Sequence, residues 1–150
     1  MPAMRDEPTT DVAADTSEVR GASSGRLLLC DDSGTERLAL ARILRDNGYE
    51  VDEAADGSAA LLVLRGNRRP YDLLLLDLQM PEVDGFEVLA YVQRHRPELG
   101  VVLLSGLPPD QIGEGLSRLP DGELPALMLK PIDTEQLLQV IEMKLAGELP

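Results

Sequence analysis

Four short apolar runs, each ending at a polar residue, constrain the fold of this chain more than any other feature of its sequence. None of the runs alternates between apolar and polar residues, which is typical of strands buried on both faces of a parallel sheet. The pattern therefore predicts buried strands with polar side chains at one end of each. The runs cover residues 27–30, 73–76, 101–104 and 126–129, and the residues that follow them are Asp31 with Asp32, Asp77, Ser105 and Lys130.

Amphipathic segments lie between these runs and predict helices that connect the strands. A weaker strand is predicted over residues 49–54, where three acidic residues suit the edge of a sheet. Strands and helices then alternate, and right-handed crossovers place the helices on both faces of a doubly wound parallel α/β sheet. The helices are predicted over residues 35–47, 58–65, 84–95, 110–119 and 134–146.

The first 25 residues differ in composition from the rest of the 150-residue chain. They contain no Leu, Ile, Phe or Tyr, and they carry five acidic and two basic residues. Such a segment buries too little apolar surface to offset the entropy that it would lose on ordering. We therefore expect residues 1–25 to form a disordered acidic tail and residues 26–147 to form one folded domain.

Charge and cysteine content narrow the range of environments and partners. The net charge of −13 argues against nucleic-acid binding, which needs a basic surface, but suits a divalent cation or a basic protein surface. The single cysteine, Cys30, excludes an intramolecular disulfide and fits a reducing compartment. No apolar run approaches the roughly 20 residues that span a bilayer, and the N-terminus lacks the apolar core of a secretory signal. We expect a cytoplasmic protein that binds neither membranes nor nucleic acid.

The polar residues after the four runs are predicted to meet in space. In an open parallel sheet, ligands bind beyond the carboxyl ends of the strands, where Asp31, Asp32, Asp77, Ser105 and Lys130 are placed. Crowded carboxylates raise one another's pKa values, and Mg²⁺, which prefers oxygen ligands, relieves that repulsion. A carboxylate is also a nucleophile toward phosphorus, and a metal ion, an ammonium and a hydroxyl stabilise phosphoryl oxygens. The set therefore predicts phosphoryl transfer to one aspartate.

Each of these residues has an ordinary structural alternative when it is taken alone. Asp31 and Asp32 could cap a helix, and Asp77 could end its strand in a turn. Ser105 could be a cap or turn hydroxyl, and Lys130 could be a solvated surface charge. Their joint placement at four strand ends favours a functional site over four separate structural roles.

The same residues resemble the motifs of the receiver domain of two-component response regulators, over about residues 26–147. Five such motifs occur in order along the chain, which makes the resemblance specific. It implies a flavodoxin-like fold with five parallel strands in the order 2-1-3-4-5 and a switch that is driven by phosphorylation. The matching segments are Asp31-Asp32, Ala55-Asp56-Gly57, Asp77 to Pro81 with Asp84-Gly85, Ser105-Gly106 and Lys130-Pro131.

The resemblance assigns the acidic residues to phosphorylation and to Mg²⁺ binding. It implies that Asp77 is the phosphoacceptor. Asp32 and Asp77 would ligate Mg²⁺ directly, Asp31 would act mainly through water, and the main-chain carbonyl of Gln79 would be the third protein ligand.

The resemblance also implies which residues bind and read the phosphoryl group. Lys130 would pair with it, and Ser105 would move toward it and propagate the switch. The peptide bond between Lys130 and Pro131 is expected to be cis. Relatives usually carry Tyr, Phe or His three residues before the lysine, a ring that swings inward on activation, whereas this chain has Leu127. This chain therefore has no ring at that position to couple to the Ser105 hydroxyl, and the route by which activation would spread is left open.

We expect the chain to be a stand-alone response regulator or a phosphorelay shuttle. A sensor histidine kinase or a phosphotransfer protein would phosphorylate it, and a monomer or weak homodimer would then change its affinity for a downstream protein. It would not be an enzyme, apart from catalysing its own phosphorylation and dephosphorylation.

Two rival functions remain. An interaction module that does not use phosphorylation is kept open by Leu127. An Asp-nucleophile phosphatase of the haloacid dehalogenase type would need a second Asp two residues after the nucleophile. This chain has Gln79 at that position, which argues against such a phosphatase.

Overall fold

The computed structural model describes residues 25–66, 69–119 and 125–147, so the predicted tail falls almost wholly outside it. In these segments, five strands alternate with five helices. None of the described helices is long and apolar enough to cross a membrane. The elements are β1 (Arg26–Cys30), α1 (Gly34–Asp46), β2 (Glu50–Ala54), α2 (Gly57–Arg65), β3 (Leu73–Asp77), α3 (Gly85–His95), β4 (Gly100–Ser105), α4 (Pro109–Ser117), β5 (Ala126–Leu129) and α5 (Thr134–Leu145).

The strands form one parallel sheet in the order β2-β1-β3-β4-β5, which confirms the predicted fold. The strand order reverses at β1 and β3, because the chain moves outward from β1 to β2 and then returns past β1 to form β3. The carboxyl ends of these two strands flank the crevice where ligands bind in folds of this kind. Asp31 and Asp77 lie at those two ends.

Helices cover both faces of the sheet. The helices α2, α3 and α4 bury their apolar sides against one face, and α1 and α5 bury theirs against the other. Alternate residues of β1, β3 and β4 contribute to the two cores, as the pleat of a strand requires. Leucine supplies all of the largest fully buried side chains among the described residues, consistent with an aromatic content of only 3%.

The sequence predicted the position of one outer strand correctly and the burial of the other incorrectly. The acidic strand β2 is an edge strand, as predicted. The strand β5 forms the opposite edge, and the prediction that it is buried on both faces is wrong. Met128 packs into the core beside α1 and α5, whereas Leu127 and Leu129 point to the other face and are 41% and 53% exposed.

Four of the five described helices begin at a side-chain cap. Each cap accepts a hydrogen bond from the backbone N–H three residues on, which satisfies one of the free donors of the first turn. These caps fix where each helix starts, and two of the four, Ser33 and Asp84, follow the strands β1 and β3 that flank the crevice. The pairs are Ser33 with Glu36, Asp56 with Ala59, Asp84 with Glu87 and Asp133 with Gln136.

Two glycines of α4 provide a test of how this helix packs. A Cβ added at the buried Gly115 would collide with the ring of Phe86, whereas one added at the exposed Gly113 would meet nothing within 4 Å. We expect Gly113→Ala to stabilise the protein by up to about 1 kcal/mol, through the higher helix propensity of alanine. Gly115→Ala should destabilise it by about 1–2 kcal/mol, because the ring must move. Urea unfolding measures both, and equal effects would contradict the packing of Phe86 on α4.

Candidate functional site

Three carboxylates meet at the carboxyl ends of β1 and β3. Oxygens of Asp31, Asp32 and Asp77 all lie within 4.8 Å of one another, although Asp77 is 45 residues or more away in the chain. Asp31 and Asp77 are buried, and Asp32 is exposed. The predicted convergence of these residues is therefore what the fold produces, and it follows from the pairing of Cys30 with Leu76 in the sheet.

Backbone N–H groups hold the two buried carboxylates in place. The N–H of Ser33 donates to Oδ1 of Asp31 at 2.9 Å, and the N–H of Gln79 donates to Oδ1 of Asp77 at 2.9 Å. Both are turns in which an aspartate accepts from the residue two positions on. The side chain that caps α1 is Ser33, so the acidic pair does not serve as the helix cap.

The Lys130 ammonium lies against the remaining oxygens of both buried carboxylates. Its Nζ is 3.3 Å from Oδ2 of Asp77 and 3.5 Å from Oδ2 of Asp31. The backbone N–H of Lys130 donates to the carbonyl of Ser105 at 2.8 Å, and its peptide bond to Pro131 is cis, as predicted. The lysine is therefore not the freely solvated charge that its residue type alone would suggest.

Burial raises the pKa of Asp77 to about 6, from a model-peptide value of 3.8. The Gln79 N–H and the Lys130 charge oppose this effect, while the charge of Asp31 adds to it. The sequence predicted a raised pKa through repulsion among the carboxylates, whereas desolvation is the larger cause here. Because a metal ion needs the ionised carboxylate, protons compete with cations for this residue near neutral pH.

Ser105 ends β4 beside the strand that carries Asp77 and is fully buried. Its Oγ accepts a hydrogen bond from the N–H of Leu107 at 2.9 Å, which leaves the hydroxyl proton available to donate. Leu127 pairs with Leu103 in the sheet, and its side chain is on the partly exposed face of β5. Gln79 is exposed and lines the open depression around Asp77.

Two residues of α1 take part in this region, and the sequence analysis missed both. Oε1 of Glu36 lies 3.0 Å from Nζ of Lys130. Arg37 donates to the main-chain carbonyl of Asp31 at 2.8 Å and to Glu53 at 3.0 Å, which ties the end of β1 to β2. The available signal was position: α1 begins directly after the acidic pair, so its first turn must lie beside the strand ends.

The chain belongs to the family of response regulator receiver domains, which act in two-component signalling. The model of that family, described as "Response regulator receiver domain", matches residues 27–142. This match covers every residue of the site described above and all of the sheet and helices except the first residue of β1 and the last three of α5.

Known relatives and structures agree with this family. Transcriptional regulatory protein TcrA of Mycobacterium tuberculosis is 34% identical over 137 residues, covering 89% of this chain and 51% of TcrA. The receiver domain of the hybrid histidine kinase CckA is 33% identical with a TM-score of 0.65, covering 81% of this chain and 99% of that domain. A CheY-like receiver domain protein from Methanospirillum hungatei is 27% identical with a TM-score of 0.72, covering 84% and 97%. The chain thus spans about half the length of TcrA.

Proposed function

We propose that this chain is a signalling switch in which Asp77 accepts a phosphoryl group from a phosphohistidine. The donor would be a sensor histidine kinase or a phosphotransfer protein. The observation that carries the proposal is the setting of Asp77, a buried carboxylate with Nζ of Lys130 at 3.3 Å and two other carboxylates within 4.8 Å. The open depression above it gives a donor access to the site.

The transfer requires only groups that the proposal names. A carboxylate oxygen of Asp77 forms the new P–O bond as the P–N bond of the phosphohistidine breaks, and the imidazole leaves with the electron pair and takes up a proton. Lys130 balances the charge of the phosphoryl oxygens, and the Ser105 hydroxyl donates a hydrogen bond to one of them. Receiver domains are in general switches of this kind, and we do not expect turnover of other substrates.

The donor set of the site fits Mg²⁺. Oδ2 of Asp31 is buried with no hydrogen-bond partner, and three carboxylates with an exposed side are what a hard divalent cation needs. Asp32, Asp77 and the main-chain carbonyl of Gln79 would ligate the ion, and Asp31 would act through water. When bound, Mg²⁺ would share the charge of the phosphoryl oxygens.

The output of the switch is proposed to be protein contact. Phosphorylation would shift a two-state equilibrium and so change the affinity for a downstream protein, as a stand-alone regulator or a phosphorelay shuttle. We propose that the chain acts in the cytoplasm as a monomer or weak homodimer. Its net charge of −13 supports a protein target over direct contact with DNA or a membrane. Leu127, an aliphatic residue at the usual ring position, favours a second candidate, an interaction module that does not use phosphorylation.

Intact-mass spectrometry after incubation with Mg²⁺ and acetyl phosphate tests this proposal. We expect one labile phosphoryl adduct on the wild type and on the control Asp110→Asn, an exposed aspartate of α4. Asp77→Asn and a wild-type sample with a chelator should show none. An absence of adduct on every sample would favour the interaction module, and rapid multiple turnover of acetyl phosphate would point to a phosphatase.

A further inference from the structure

The Lys130 ammonium has a third carboxylate partner that neither the motifs nor the proposed phosphorylation accounts for. Oε1 of Glu36 lies 3.0 Å from Nζ of Lys130, closer than either Asp77 or Asp31. The two residues are 94 positions apart in the chain. We propose that Glu36 competes with the phosphoryl group on Asp77 for Lys130, and so weakens the phosphorylated state. This inference rests on the proposed function.

The backbone of Glu36 is fixed by the start of α1. Its N–H donates to the capping Oγ of Ser33 at 3.3 Å, so the first helical turn sets where the side chain begins. The side chain is 56% exposed and reaches over the mouth of the depression around Asp77. Lys130 is the one cationic residue that lines this depression within the described segments. Any anion that binds there must therefore share Lys130 with Glu36.

Three carboxylates already surround the ammonium in the resting arrangement. Its Nζ donates hydrogen bonds to Glu36 and Asp77, and it lies 3.5 Å from Oδ2 of Asp31 in an ion pair without a hydrogen bond. Burial of Lys130 acts to lower its pKa, but the hydrogen bond to Glu36 and the charges of Asp77 and Asp31 together raise it above the ordinary value. Lys130 is therefore protonated, and its positive charge already interacts with three carboxylates.

A phosphoryl group on Asp77 draws on the same ammonium, and Glu36 is the partner that is free to leave. Asp31 is buried and held by the Ser33 N–H, and Asp77 itself carries the phosphoryl group. Glu36 ends in an exposed, rotatable carboxylate. Displacing it costs an ion pair and leaves a negative charge beside the new anion, so its removal should strengthen phosphoryl binding.

The same residue should have the opposite effect on a cation. Before phosphorylation, Glu36 adds one negative charge to a site that already has three carboxylates near the proposed ion. Its neutralisation should therefore leave Mg²⁺ affinity unchanged or reduce it. Partly exposed ion pairs have modest energies and are screened by salt, so we expect effects of about two- to fivefold at low ionic strength.

Calorimetric titration of Glu36→Gln tests this inference, since the chain has no tryptophan to report binding. Beryllofluoride with Mg²⁺ serves as the mimic of the phosphoryl group, and Mg²⁺ alone is titrated in parallel. Glu36→Gln should bind beryllofluoride about threefold more tightly than wild type and Mg²⁺ no more tightly, with the beryllofluoride difference shrinking in high salt. Glu142→Gln, an exposed position on α5, has the same change in charge and should match wild type.

The outcomes separate this inference from the proposed function. If wild type and Glu36→Gln both form the acetyl phosphate adduct but bind beryllofluoride equally, competition by Glu36 is wrong and the switch stands. Weaker beryllofluoride binding by Glu36→Gln, with Mg²⁺ affinity retained, would show that Glu36 assists the phosphoryl group and would also overturn the inference. If neither protein forms the adduct or binds beryllofluoride, the proposed function itself is wrong.

Discussion

Replacing Gly85 with alanine is expected to destabilise the protein by about 3 kcal/mol and to slow phosphorylation of Asp77. A Cβ at this position would lie 2.5 Å from the carbonyl oxygen of Asp77 and 2.6 Å from Cα of Leu78. Both are backbone atoms, which cannot turn aside as the end of a flexible side chain can. The estimate is the upper part of the range for overpacking a close-packed interior.

The close contact exists because α3 begins against the end of β3. Gly85 follows the Asp84 cap, and its N–H donates to the carbonyl of Leu78 at 3.3 Å. A methyl group there must displace either the start of α3 or the segment after Asp77. That segment carries Gln79, whose N–H holds the Asp77 carboxylate. Loss of stability and loss of phosphorylation should therefore occur together.

Gly34→Ala is the matched control, because Gly34 occupies the same place in α1. It is the first residue after the Ser33 cap, and a Cβ there would meet nothing within 4 Å. We expect this variant to be neutral or up to about 1 kcal/mol more stable. Urea unfolding and the rate of adduct formation from acetyl phosphate compare the two variants. Equal stability and equal rates would show that α3 does not abut the end of β3.

The fold could be predicted from the sequence because its pattern of strands and helices is compatible with few topologies. Unbroken apolar runs alternating with amphipathic segments permit few arrangements other than a doubly wound sheet. The acidic residues of β2 marked one edge correctly. The apolar run at 126–129 did not predict that β5 forms the other edge of the sheet, because an apolar composition does not tell how many neighbouring strands a strand has. Leu127 and Leu129 are exposed at that edge.

The site was predictable to the extent that it depends on strand ends. Residues that follow parallel strands must meet at one end of the sheet, so Asp31, Asp77 and Lys130 could be placed together from sequence. The sequence also places the first turn of α1 beside these strand ends, but the contact between Glu36 and Lys130 could not be predicted, because it depends on the direction in which α1 leaves the sheet. The close approach at Gly85 has the same origin in tertiary packing. The burial that raises the pKa of Asp77 likewise appears only when the helices are in place.

Asp77→Asn is expected to stabilise the metal-free protein by about 2 kcal/mol at pH 7, even though it removes the proposed phosphoacceptor. The folded protein holds Asp77 at a pKa of about 6, above its ordinary value of 3.8. Ionising this buried carboxyl therefore costs more in the folded state than in the unfolded chain. A difference of this size corresponds to about 3 kcal/mol at most, and contacts that asparagine lacks reduce the gain.

The raised pKa also fixes the direction of the pH dependence. Between about pH 4 and pH 6 the folded state binds more protons at Asp77 than the unfolded state, so wild-type stability falls as pH rises through this window. Asparagine does not titrate. The advantage of Asp77→Asn should therefore be small near pH 4, grow toward pH 6 and stay constant above it. Urea unfolding in the presence of a chelator measures this, with the exposed Asp110→Asn expected to stay within about 0.5 kcal/mol of wild type throughout.

Mg²⁺ should make wild type more stable than Asp77→Asn. The buried negative charge that destabilises the metal-free wild type is also what would make the site bind a cation. An ion that binds only the folded state stabilises it by mass action. Wild type should therefore gain stability with Mg²⁺ concentration, and Asp77→Asn, which retains Asp31 and Asp32 but lacks the third carboxylate, should gain less. Equal gains in both proteins would place the bound ion away from Asp77. If the difference in free energy of unfolding between metal-free wild type and Asp77→Asn does not change from pH 4 to pH 8, Asp77 is not a carboxylate whose ionisation destabilises the folded state.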